Sequence, residues 1–155
     1  MTWPHLRRAK PADIPALLDI EYTAFSGDVI SPRSWRDMIG SDIASVIVAE
    51  DGHQVFGDYV TLFNARTAVA RLYSIAVAED WRQRGIAKLM MQDAIVRSIA
   101  RGATRLCLET RADNAKAHKL FEGLGFVALD RVPGHYEDGA EAVRYERRLL
   151  GDAAP

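Results

Sequence analysis

Sulfur is scarce in this chain of 155 residues, which holds one cysteine, Cys107. No intramolecular disulfide can form, and a cysteine-cluster zinc site is excluded. The cytoplasm is the expected location. A charge excess of either sign is also missing, since 20 Lys and Arg face 21 Asp and Glu for a formal net charge of −1. Electrostatic nucleic-acid binders carry a basic surplus that displaces counterions from phosphate, so nucleic acid is not an expected partner. Long apolar runs are absent too. The stretch from Ile43 to Ala49 is broken by Ser45 and stops at Glu50-Asp51, far short of the ~20 residues a membrane helix needs. The first ten residues lack the apolar segment of a secretory signal. His5, His53 and His118 fall on separate segments without ligand spacing, and no metal is expected.

What is present is an apolar share of 48% with 26% charged residues, enough for a core of the chain's own. One domain over residues 1–150 is expected, followed by a frayed tail at 151–155. Of the basic residues, 16 are Arg and 4 are Lys, a bias toward forked contacts with phosphate or carboxylate.

Periodicity orders the elements. Residues 5–10 read as a short extended segment that ends at Pro11 and Asp13. Ile14, Leu17, Leu18, Tyr22 and Phe25 then recur at three and four residues, one apolar stripe on a helix of about four turns closed by Gly27-Asp28. Ser31-Pro32 reads as the N-cap and first residue of a second helix through Trp35, Met38 and Ile39, which Gly40 stops. Strand signals follow at 45–49, 54–63 and 68–77, with Asp51-Gly52 as a hairpin turn. Connections this short predict an antiparallel meander. A long helix over 85–100 ends at Gly102. A strand at 105–110, a helix at 114–122 and a strand at 126–131 come next. After the Pro133-Gly134 and Asp138-Gly139 turns, a strand at 142–150 completes the order. The expected fold is mixed α/β (α+β), a mostly antiparallel sheet of six to seven strands with helices on both faces.

The segment Arg82-Gln83-Arg84-Gly85-Ile86-Ala87 lies between a strand and the start of the long helix. Amides at a helix N-terminus lack intrahelical acceptors and carry partial positive charge, so such a loop can cradle a pyrophosphate, with Arg82 and Arg84 adding charge. Taken alone, the segment fits a tight strand-to-helix turn with solvated arginines equally well. It is neither a P-loop nor a G-x-G-x-x-G fingerprint.

The flanks add specificity. Arg71-Leu-Tyr-Ser-Ile-Ala-Val77, then Arg82-x-x-Gly85-x-Ala87, then Leu108-Glu-Thr-Arg111-x-x-Asn114-x-x-Ala117-x-x-x-Phe121-x-x-x-Gly125-Phe126 resembles the GNAT acetyltransferases over about residues 44–150. The resemblance implies a sheet splayed between its fourth and fifth strands. It implies acetyl-CoA as acetyl donor, with coenzyme A as product, held by main-chain groups of Ile75, Ala76 and Val77 and by amides of Arg82, Gln83, Arg84, Gly85, Ile86 and Ala87. Asn114 and Phe121 would lie along the pantetheine. An unpaired strand edge must be satisfied somehow, and a peptide-like arm can act as a surrogate strand.

A thioester is already activated, so the protein chiefly has to align an amine, take up its proton and stabilise an oxyanion. Glu109, among apolar neighbours on the fifth strand, is the expected base, with desolvation raising its proton affinity. Its alternative fate is an ion pair with Arg111 or Arg105. The run Leu108-Glu109-Thr110-Arg111 is similar to that of the GNAT subgroup acting on ribosomal-protein N-terminal alanine, where the Glu is regarded as the base. That subgroup carries a Tyr as general acid where this chain has Phe121, which leaves Tyr136 and Tyr73 as phenol donors. The stretch from His135 through Tyr136 to Gly139 resembles the turn that lines the peptide channel in N-terminal acetyltransferases. Phe25, Tyr73, Glu109, His135 and Tyr136 are accordingly the expected acceptor-binding residues. The acceptor is a protein or peptide α-amine, with a small amine (polyamine, aminoglycoside or amino acid) or a non-catalytic acyl-CoA-binding role as alternatives, and the protein is a monomer or homodimer.

Overall fold

Arg7 is the hub of the first turns, because its guanidinium forks onto Asp13 (Nη1 to Oδ2 2.8 Å, Nη2 to Oδ1 2.9 Å) and reaches Glu50 through Nε at 3.0 Å. This is seen in a computed structural model that describes residues 4–24 and 29–149. Phe25 and the tail at 151–155 lie outside the described residues. The elements run β1 (His5–Arg8), a 3-10 turn (Pro11–Asp13), α1 (Ile14–Ala24), α2 (Pro32–Ile39), β2 (Ala44–Glu50), β3 (Val55–Asn64), β4 (Val69–Val77), a second 3-10 turn (Glu79–Trp81), α3 (Ile86–Ala100), β5 (Arg105–Arg111), α4 (Ala115–Gly123), β6 (Val127–Val132) and β7 (Ala142–Arg148). Seven strands form one open sheet in the order β1-β2-β3-β4-β5-β7-β6. The pairs β1–β2, β2–β3, β5–β7 and β6–β7 are antiparallel, and β4–β5 is parallel. The expected mixed fold is therefore present, with the strand count at its upper figure. Neither 3-10 turn is expected from the sequence; α1 is described over the 11 residues Ile14–Ala24, and the predicted closing pair Gly27-Asp28 lies outside the described residues.

The chain divides into two units, Met1–Leu62 with Tyr73–Met91 and Phe63–Leu72 with Gln92–Pro155. In the first, the stripe of α1 supplies Ile14 and Leu17, α2 supplies Trp35, and these meet Ile30, Val46, Val48 and Val60 in one buried cluster. Ser31 caps α2 by accepting from the Ser34 amide, as Ser-Pro predicts. The hairpin turn is held by Asp51, whose Oδ1 accepts from the amides of His53 and Gln54 (2.9 Å each), with Gly52 at φ +93°. Glu21 and Asp58 are buried in the same unit. Ser74 Oγ donates to Glu21 (3.3 and 3.4 Å), whereas neither Asp58 oxygen meets a protein donor. Two ionised carboxylates cannot share such a site, and one proton held between them supplies the missing hydrogen bond. Burial, and then the charge of Glu21, push the Asp58 carboxyl well above its ordinary range.

In the second unit, Phe121 of α4 is buried against Phe126 (5.8 Å between centroids) and Tyr145 (6.0 Å). Asn114 caps α4 by accepting from the Ala117 amide at 3.1 Å. β5 pairs with β7 along all seven of its residues but with β4 only through Val69↔Arg105, Ala70↔Leu106 and Arg71↔Cys107. The ladder between β4 and β5 therefore ends two residues before Glu109.

Candidate active site

Two sets of residues make up the candidate site, and each is built by local rules. The first surrounds the start of α3. Val77 ends β4, and the Glu79–Trp81 turn follows. Trp81 is the last residue of that turn. It stacks on Phe56 at 4.0 Å and 8°, and the Arg84 guanidinium lies 4.8 Å from the Trp81 ring centroid. Arg82 donates from Nε to the Val77 carbonyl (3.0 Å) and Arg84 from Nη2 to the Asp80 carbonyl (3.0 Å). Both arginines are thus folded back on the loop.

The backbone there takes a conformation L-residues avoid. Gln83 has φ +62° and Gly85 φ +79°. A Cβ at Gly85 would meet no atom within 4 Å, so the glycine answers to the left-handed backbone and not to crowding. A non-glycine residue in this region stores roughly 1–3 kcal/mol of strain, a cost that tends to persist at functional sites. Arg82 N–H bonds to Glu79 O and Leu89 N–H to Gly85 O, while among the described residues the amides of 83–88 between them donate to no backbone carbonyl. Six consecutive free amides at the N-terminus of a 15-residue helix, flanked by two guanidinium groups, fit a diphosphate anion.

The second set lies around Glu109 on β5. Glu109 is not the lone carboxylate among apolar neighbours that the sequence suggests. Oε1 lies 2.8 Å from Arg71 Nη2 and Oε2 lies 2.9 Å from His135 Nε2. Neither Arg105 nor Arg111 is its partner: Arg105 pairs with Glu146 (3.0 Å), and Arg111 forks onto Asp138 (2.8 and 3.3 Å) and reaches Asp113. The Arg111 guanidinium also lies 5.2 Å from the Tyr136 ring, which meets the His135 ring edge-on at 4.9 Å. The turn is closed by Gly139 N–H to Tyr136 O (2.8 Å) and by Asp138 Oδ1 accepting from the Ala140 amide. Burial, then the charge of Glu109, raise the Tyr136 phenol above its usual value, which keeps it a proton donor at neutral pH.

Other expected site residues have plainer surroundings. Ala76 is buried and Tyr73 is about half exposed. Asn114 and Phe121 serve as helix cap and core side chain. Burial raises the Cys107 thiol, consistent with an inert cysteine. No group of three or more potential metal ligands occurs among the described residues. Two features escaped the sequence reading. Arg71 holds Glu109 across the short β4–β5 ladder, a pairing that depends on sheet order. His118, counted only as a scattered histidine, joins Tyr145 and Glu122 in a hydrogen-bonded chain.

Over 118 residues the chain is 42% identical to the [ribosomal protein bS18]-alanine N-acetyltransferase of Salmonella typhimurium, covering 74% of each protein. It is 28% identical over 120 residues to N-alpha-acetyltransferase 40 of Saccharomyces cerevisiae, matching 73% of this chain but spanning only 40% of that relative's length. The crystal structure of Ard1 from Thermoplasma volcanium superposes with a TM-score of 0.88 at 25% identity, covering 96% of this chain and 99% of that one. Residues 14–126 match the acetyltransferase (GNAT) family, and the chain belongs to that family.

Proposed function

We propose that this protein transfers an acetyl group from acetyl-CoA to a primary amine, the N-terminal α-amine of a protein or peptide. The observation that carries the reading is the run of free amides at 83–88 on the N-terminus of α3, inside the segment that matches the family. Acetyl-CoA supplies a thioester carbonyl that is already activated toward an amine. The amides of Gln83 to Ala87 would hold its pyrophosphate, the Arg82 amide being taken by Glu79 O, and the Arg82 and Arg84 side chains would turn from the Val77 and Asp80 carbonyls toward it. Main-chain groups of Ile75, Ala76 and Val77 would offer a strand edge to the pantetheine, with Asn114 and Phe121 farther along it.

On the acceptor side, Arg71 and His135 flank both oxygens of Glu109, the ordered turn through Tyr136 and Asp138 would bind the substrate backbone, and Tyr73 is a further acceptor-side candidate. Phe121 leaves no phenol at that position of α4. Tyr136, kept protonated by burial and by Glu109, would donate toward the oxyanion or the departing thiolate. The likeness to an alanine-specific enzyme over 74% of both chains favours a peptide α-amine over a small amine. No described helix is long and apolar enough to cross a membrane, and the cytoplasm is the proposed place of action. Coenzyme A release from acetyl-CoA, measured with a peptide bearing a free N-terminal alanine and in parallel with spermidine, an aminoglycoside and free amino acids, tests the proposal. Release with the peptide is expected, and release only with small amines overturns the acceptor class.

A further inference from the structure

The proton acceptor in this reading need not be Glu109. Each Glu109 oxygen already has a nitrogen within 3 Å, Arg71 Nη2 at 2.8 Å and His135 Nε2 at 2.9 Å, and the side chain is 16% exposed. The His135 imidazole beside it is 32% exposed. Nε2 is the ring nitrogen that meets the carboxylate, which leaves Nδ1 as the nitrogen that can take up a proton whenever Nε2 holds the other. Among the described residues Nδ1 has no protein partner. A carboxylate fixing one ring nitrogen so that the other can take a proton is a general arrangement for an imidazole base, with the carboxylate stabilising the imidazolium that forms.

Resting on the acetyltransferase reading above, we propose that His135 accepts the amine proton at Nδ1 and that Glu109, held by Arg71, is the positioning residue that orients the ring. As the amine nitrogen bonds to the acyl carbon, its surplus proton passes to Nδ1. The carbon–sulfur bond then breaks, the electron pair leaves on sulfur, and the thiolate takes a proton from Tyr136 or water. The imidazolium returns its proton to solvent, so no oxidant or further reactant is needed.

The groups that face this pair are accounted for. Arg71 reaches Glu109 from β4, and Tyr136 packs on His135 from the same turn. Arg144, opposite Glu109 in the β5–β7 register, lies 3.9 Å from Asp130. Arg111, two residues along β5, is held by Asp138 and Asp113. His135 is thus the partly exposed acceptor beside the Glu109–Arg71 pair.

The test measures thiol release from acetyl-CoA, with an N-terminal alanine peptide as acceptor, for the wild type, His135→Ala and His135→Asn, with and without added imidazole. Each variant is first checked for a thermal shift with acetyl-CoA to confirm folding. Expected is a fall in kcat of about 10²-fold or more in both variants, with imidazole restoring a concentration-dependent part of the rate to His135→Ala. Asn can still donate to Glu109, so recovery of activity in His135→Asn would make the residue structural and overturn the proposal. An unimpaired His135→Ala, or a folded and impaired one that imidazole does not rescue, would also overturn it. A wild type that releases no thiol with this peptide or with the small amines overturns the acetyltransferase reading itself, and with it the assignment of His135.

Discussion

Tyr145 Oη lies 2.5 Å from Nδ1 of His118 and donates to Glu122 at 2.8 Å, while Nε2 of the same imidazole faces the carbonyls of Arg111 and Ala112 at 3.1 Å each. The imidazole thus bridges the Tyr145 hydroxyl and the two carbonyls, and the hydroxyl in turn reaches Glu122. The chain thereby ties α4 to the last residue of β5, two positions beyond Glu109.

Tyr145→Phe should therefore destabilise the fold by about 1–3 kcal/mol, since it leaves His118 Nδ1 and a Glu122 oxygen without their partner. Urea unfolding of Tyr145→Phe, His118→Leu and the double variant is the measurement. The double variant should lose less than the sum of the singles, and strict additivity would contradict the coupling.

Asp58 and Glu21 predict an unusual pH dependence. Burial, above all, raises both carboxyls over their unfolded values of 3.8 and 4.5. The folded state then holds more protons than the unfolded one above about pH 4, so the pair's contribution is full below that point and declines as pH rises. Asp58→Asn, whose amide can donate to Glu21 without titrating, should be more stable than the wild type at pH 8 and should flatten this slope. Denaturant midpoints at pH 5 and pH 8 decide it.

Asp13 has the opposite sign. Hydrogen bonding from Arg7, the leading cause, holds its carboxyl below the usual value, so its contribution is present above the unfolded value of 3.8 and is lost as pH falls. Arg7→Leu strands a buried carboxylate and should cost about 1–3 kcal/mol at pH 7, with the difference from the wild type shrinking in acid. The same unfolding curves, extended to low pH, check both magnitude and sign.

Arg82→Ala and Arg84→Ala should each weaken acetyl-CoA binding roughly tenfold while leaving kcat at saturation nearly intact, and the loss should shrink at high salt. Titration calorimetry at two ionic strengths separates this from a structural effect, which salt would not change.

Local signals were legible in the sequence because they act over a few residues: the Ser31-Pro32 start of α2, the Asp51-Gly52 hairpin and the Arg82 to Ala87 loop all stand where their chemistry predicts. The Arg71–Glu109 pair was hidden because it depends on β4 lying beside β5, which residue spacing does not encode. The positive φ of Gln83 has no residue signature either, since glycine, not glutamine, announces such backbone. Glu21 could have been found, as it follows Ile20 on the stripe of Ile14 and Leu17, but its partner Asp58 sits in an apolar strand where only the packed fold explains a carboxyl.

The most direct test of the account is mass spectrometry of a peptide with a free N-terminal alanine after incubation with acetyl-CoA and the protein, run beside Glu109→Gln. The account predicts one added acetyl group, located on the terminal nitrogen, and a large loss of product with Glu109→Gln although acetyl-CoA still binds. An unmodified peptide alongside an acetylated polyamine, or equal product from Glu109→Gln, would contradict it.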